Sequence, residues 1–152
     1  MIGYVSIMQY DIGGGIHWYG TLRIKDGSQF DVKHTLDAAT ARRLNKDDRH
    51  RQDTPTYRPG HETQRFISRE SCLTAAMKMA AEMGVTWLLE GSGACCDPQH
   101  VLIGPEPLKT KLNKLWQEAE SINGWDGREK GLMQNICDRW DVLWNPIRKQ
   151  KP

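Results

Sequence analysis

Cys95, Cys96, Asp97 and His100 are the densest group of metal-ligating and nucleophilic residue types in the chain. Zinc takes four nitrogen or sulfur ligands in a tetrahedron, and structural sites are built from paired short spacings. Only one such cluster is present, so Cys72 or Cys137 would have to be brought in by the fold. A cysteine nucleophile needs a base that lowers its pKa or takes its proton. His100 lies four residues after Cys96, but sequence proximity does not place a ring against a sulfur. One cysteine packed as a small hydrophobe and the other in a turn is the simpler expectation, so neither a metal nor any other cofactor is expected.

A second group lies between residues 46 and 66. Arg49, Arg51, Arg58 and Arg65 accompany His50, His61 and Glu62. A His/Glu pair suits general-base or metal chemistry, but His61-Glu62 lacks the second histidine of H-E-x-x-H. The arginines suit phosphate contacts. A third group, His17, Tyr19 and Arg23, alternates along one strand and would face outward together. Trp125, in Asn123-Gly124-Trp125-Asp126-Gly127, is a turn tryptophan of the kind that anchors interfaces. Gly13-Gly14-Gly15 and Gly91-Ser92-Gly93 read as turns, because neither has the spacing of a phosphate loop or a nucleophile elbow.

Few elements are needed to position these groups. A chain of 152 residues is one domain in length and can bury a core without disulfide or metal. The formal charge is +2, with 10 Lys and Arg against 8 Asp and Glu in residues 1–65, 2 against 5 in 66–107, and 9 against 6 in 108–152. That balance alone implies neither nucleic acid nor an anionic membrane. Adjacent and scattered cysteines do not form a secreted disulfide framework. The first residues lack a signal-peptide pattern, and no apolar run approaches the roughly 18 residues that span a bilayer. The expectation is a cytoplasmic protein with reduced thiols and no membrane partner.

The expected fold is α+β. Residues 4–10, 16–24 and 30–32 read as a three-stranded antiparallel meander. Ile16, Trp18, Leu22 and Ile24 point to one face and His17, Tyr19, Thr21 and Arg23 to the other. Asp26-Gly27 marks the second hairpin. A helix over about 36–45 follows, capped by Thr35 or Asp37, with Leu36, Ala39 and Leu44 toward the sheet. Residues 46–66 read as a long, mobile polar loop. Ser68 caps a helix carrying Leu73, Ala76, Met77 and Ala80, and Gly84 stops it. Short strands are expected at 85–89 and 101–103. The C-terminal third reads as an antiparallel helix pair. Its stripes are Leu108, Leu112, Leu115, Trp116, Ala119 and Ile122, then Leu132, Met133, Ile136, Trp140, Leu143 and Trp144, with Pro146 as the stop.

Without a paired catalytic constellation, the leading expectation is a non-enzymatic binding protein. Its length and lack of motifs suggest the accessory proteins that phages and mobile elements encode to inhibit a host defence protein or nucleoprotein complex by occupying its surface. Trp125, Arg49, Arg51, Arg58, His61, His17, Tyr19 and Arg23 are its candidate contacts. One alternative is a nucleic-acid-binding module using the meander face and the Arg/His-rich loop, by analogy with sheet-type DNA readers. The other is a small enzyme or nucleotide-sequestering protein using Cys96 with His100, or His61 with Glu62. Oligomeric state and sheet order are left open.

Overall fold

The computed structural model describes residues 1–11, 16–47, 58–63, 66–91, 98–122 and 127–150. The fold is α+β: a mixed sheet with helices on both faces. In chain order the elements are β1 (Ile2–Asp11), β2 (Ile16–Ile24), β3 (Gln29–Val32), β4 (His34–Thr35), α1 (Ala38–Asp47), β5 (Glu62–Thr63), α2 (Arg69–Glu82), β6 (Trp87–Glu90), β7 (His100–Ile103), α3 (Leu108–Glu120) and α4 (Gly127–Arg148). Five strands form one sheet in the order β3-β2-β1-β6-β7, and β4 and β5 form a two-stranded ribbon.

The meander is present as expected. β1 pairs antiparallel with β2, and β2 with β3. The second hairpin turns at Asp26-Gly27-Ser28. Gly27 has φ +97°, which an L side chain rarely adopts, and Asp26 Oδ1 accepts from Ser28 N at 2.8 Å. The meander does not stand alone, since β6 joins β1 in parallel, fed by α2 as a crossover. β7 then closes back on β6 antiparallel, with a register shift between Leu88 and Leu89.

The pleat sorts the core into two layers. Val5, Leu22, Ile24, Val32, Leu88 and Leu102 face α2, which contributes Cys72, Ala76 and Ala80. Gly20 lets that helix approach: a Cβ there would lie 3.1 Å from Cys72 Sγ and 3.1 Å from Val32 Cγ2. Ile2, Trp87, Leu89 and Val101 face the opposite way, under Leu112, Leu115, Ile136, Trp140, Trp144 and Ile147 of α3 and α4. Burial of these side chains supplies the main stabilising term. Ser68 caps α2, accepting from Ser71 N at 3.1 Å. Asp37, not Thr35, caps α1 by accepting from Thr40 N at 2.6 Å.

Several expectations need correction. α1 does not lie on the main sheet. Leu36 and Ala41 form a satellite cluster with Ile67, and Ala39 is exposed. The 46–66 segment is not all loop: β5 pairs with β4, and Phe66 is fully buried and bridged to Trp18. Residues 48–57 and 64–65 lie outside the described residues. Leu132 is 57 % exposed; repeating every four residues drifts by about 40° per step, because successive residues turn by 100°, and carries it off the stripe of Ile136, Trp140 and Trp144. Pro146 lies inside α4, which continues to Arg148. The bond that Pro146 cannot donate would have gone to the carbonyl of Val142, a residue 75 % exposed, where water can serve that carbonyl instead.

Candidate functional site

β1 and β6 are parallel, so their C-terminal ends open at the same edge of the sheet. The N-terminus of α2 arrives there because the crossover runs antiparallel to both strands. Ser6 and Met8 of β1, Arg69 of α2, Glu90 of β6, His100 of β7 and Trp116 of α3 line a cleft of about 460 Å³. Crevices outside the carboxyl ends of parallel strands are where open α/β sheets bind ligands.

Three ionisable side chains meet in the cleft. The Arg69 guanidinium pairs with Glu90 Oε1, and His100 Nδ1 lies 3.5 Å from Glu90 Oε2. The Glu90 side chain is 20 % exposed, so its carboxylate is held between a cation and an imidazole. His100 stacks on Trp116, with ring centroids 4.4 Å apart and planes 11° from parallel. Burial lowers the His100 pKa below its ordinary 6.5, and the positive charges of Arg69 and Lys109 lower it further. Glu90 does not reverse this, because its carboxylate is engaged by Arg69. The imidazole is therefore neutral at pH 7, with Nδ1 toward the carboxylate and the ring braced on indole. That is the orientation of a histidine held by a carboxylate.

The same depression makes a pH prediction. A folded-state histidine with lowered pKa binds fewer protons than in the unfolded chain, so its contribution to stability is present above about 6.5 and is lost as pH falls below it. His34, lowered chiefly by burial against the opposing charge of Asp37, acts in the same direction. Melting temperatures measured from pH 7.5 to 5.0 are expected to fall less in His100→Gln than in the wild-type chain. Parallel profiles would contradict this.

α3 is fixed beside the cleft by its grip on the sheet edge. Asn113 Oδ1 accepts from Val101 N at 2.7 Å, and Asn113 Nδ2 donates to Val101 O at 3.0 Å. The amide side chain mimics another strand and closes the outer edge of β7.

The sequence candidates are dispersed. His100 is in the cleft, and Cys95, Cys96 and Asp97 lie outside the described residues. Cys72, a candidate further zinc ligand, is buried in the α2 layer, and burial pushes its thiol up to about 11. Among the described residues no three His, Cys, Asp or Glu side chains are grouped to hold a metal. Tyr19 is half-buried and Arg23 exposed on the expected sheet face. His17 keeps its place in the alternation but is only 4 % exposed, so the outward row starts at Tyr19. In register His17 stands beside Tyr10 of β1. Arg58 and His61 are exposed at the approach to β5. Arg49, Arg51 and Trp125 lie outside the described residues. Sequence reasoning missed Arg69, Glu90 and Trp116 as a unit. Their only signals were a helix N-terminus, a strand end and a helical stripe, and only the parallel pairing of β1 with β6 brings these together.

Compared with protein-family models, curated proteins and solved structures, the chain matches none. No described helix is long and apolar enough to cross a membrane.

Proposed function

We propose that the protein is a non-enzymatic binding module that acts by occupying the surface of a partner protein or nucleoprotein complex, as an accessory protein of a phage or mobile element would do against a host defence component. The observation that carries this reading is the half-covered sheet. α3 and α4 pack over β1, β6 and β7. Among the described residues, no helix packs on the same face of β2 and β3. That face carries Met8, 52 % exposed, with Tyr19 and Thr21 half-buried and Arg23 and Asp31 exposed. An aromatic ring, a methionine and charges of both signs are the composition of a protein-recognition surface. A nucleic-acid face would be dominated by cations.

The test is a capture from bacterial lysate by the wild-type chain and by a Met8→Lys/Tyr19→Ala variant that keeps its melting temperature. A species enriched by the first and lost with the second is expected. Identical enrichment by both would overturn the reading. Capture that collapses between low and moderate salt and consists of nucleic acid would favour the nucleic-acid alternative.

A second reading rests on the Glu90–His100 contact, which supplies an oriented base four residues from Cys96. If His100 activates Cys96, alkylation of that thiol by iodoacetamide slows in His100→Gln. An unchanged rate removes the Cys96–His100 form of the enzymatic reading.

A further inference from the structure

The His100 cleft lies where β1 and β6 finish. At the opposite end of the sheet β1 and β6 begin and β2 finishes, and the last turn of α4 comes down beside them. A cavity of about 310 Å³ lies there. Its floor draws on both core layers. Ile24 belongs to the layer under α2, whereas Ile2, Trp87 and Ile147 belong to the layer under α3 and α4. Ile2 pairs with Trp87 and Gly3 with Ile24, and the cavity lies at these terminal pairs of the sheet. The four floor side chains are each 5–6 % exposed, so the floor is apolar. Met1, Lys25, Asp26, Thr86 and Gln150 form the rim.

The main chain around the rim has its partners. Ile2 O accepts from Lys25 N at 3.0 Å, and Met1 O from Thr86 N at 2.9 Å. Ile24 O accepts from Gly27 N at 2.8 Å, and Ile147 O from Gln150 N at 3.2 Å. Rim side chains are engaged as well. The Met1 amine donates to Thr86 Oγ1 at 3.1 Å. The Asp26 carboxylate accepts from Ser28 N at 2.8 Å, within its own hairpin turn. Lys25 differs. Its ammonium donates to Arg148 O at the end of α4, which anchors the side chain across the rim. An ammonium carries three protons, so one such bond leaves two for a ligand.

We propose that this cavity binds a small carboxylate with an apolar body, the body on Ile2, Ile24, Trp87 and Ile147 and the carboxylate at Lys25. Ligand pockets run from roughly 300 to 1,000 Å³ and combine apolar walls with a few placed polar groups. A volume at the lower end of that range admits one short chain or one small ring system and excludes a diacyl lipid. Water finds few partners over an apolar floor, so burial of the ligand body is favourable. The charge left to be matched is the cation of Lys25, because Asp26 is turned to Ser28. A carboxylate matches it through a charge-assisted hydrogen bond, whereas a cationic head would be repelled there. The site stands apart from the His100 cleft and from the open β2–β3 face, so it holds or fails independently of any partner protein.

The experiment titrates the full chain with octanoate and with 1-naphthylacetate, each beside its own primary amide, and follows backbone amide shifts by NMR. Saturable shifts centred on Lys25, Thr86 and Trp87 are expected. Each acid is expected to bind roughly threefold or more tighter than its amide, the scale of an ion pair at an exposed lysine. Lys25→Gln changes an exposed side chain and leaves the floor intact. It is expected to bring each acid down to the affinity of its amide and to leave the amides unchanged. The proposal is overturned by the absence of saturable shifts with either acid at millimolar concentration, or by shifts centred away from this end of the sheet. Equal binding of acid and amide, or acid binding indifferent to Lys25→Gln, overturns it equally.

Discussion

Trp140→Ala is expected to destabilise the fold by about 3–5 kcal/mol, the range for deleting a large aromatic side chain from a well-packed core. Trp140 is 2 % exposed and is among the largest fully buried side chains. It lies on α4 facing the sheet, with Trp144 tilted beside it at 6.0 Å between ring centroids and Trp87 edge-on to Trp144 at 5.5 Å. This aromatic chain joins α4 to β6 and so fixes the helix pair to the sheet. The neighbours are held by backbone on both sides and have little freedom to collapse into the void. For a domain of this length each kcal/mol moves Tm by roughly 2–4 °C, so a fall on the order of 10 °C is expected in a thermal melt. Trp140→Phe keeps part of the ring contact and is expected to lose less than half as much. A fall of under about 3 °C for the alanine variant would mean that α3 and α4 are not integral to the core.

The same helix pair was the most legible part of the sequence. Leu112, Leu115, Ile136, Trp140 and Trp144 repeat at three and four residues, and that period belongs to a helix with one buried stripe. The meander was legible for a related reason: alternation and Asp-Gly are local signals. What stayed hidden is non-local. Nothing in Trp87-Leu88-Leu89-Glu90 says that its partner is β1, 85 residues away, or that the pairing is parallel. The cleft at Arg69, Glu90, His100 and Trp116 exists only because of that pairing, so its members looked unrelated. His100 was singled out for its neighbours in sequence, whereas its contacts in space are Glu90 and the ring of Trp116. Boundary errors had smaller causes. Pro146 forbids one hydrogen bond, not a helix, when the bond falls in the last turn. Leu132 shares the spacing of its stripe but not its azimuth.

Phe66 sharpens the contrast, because a segment rich in Arg, His, Thr, Gln and Pro carried one residue that the fold buries completely. Its main chain bridges to β2, with Trp18 N donating to Phe66 O at 2.9 Å and Phe66 N donating to Trp18 O at 2.8 Å. Its ring sits 4.9 Å from the His34 ring and packs in the same layer as Val5, Leu22 and Cys72. The residue thus fills the fork where β3 and β4 diverge from β2, and it holds the β4–β5 ribbon onto the sheet. Phe66→Ala is expected to cost about 3–5 kcal/mol, with a Tm fall on the order of 10 °C. Phe66→Leu retains most of the buried volume and is expected to cost under about 1.5 kcal/mol. The consequence differs from that of Trp140→Ala in place. Loss of the ring loosens the ribbon before the core, so amide exchange is expected to accelerate first at Leu36 and Gly60, whose bonds tie the two strands together. Exchange at Leu112 and Ile136 should change only through the global term. If all four amides accelerate equally while the melt stays two-state, the ribbon is part of the same cooperative unit as the helices, and Phe66 acts as a core residue of the whole domain and not as the pin of one segment.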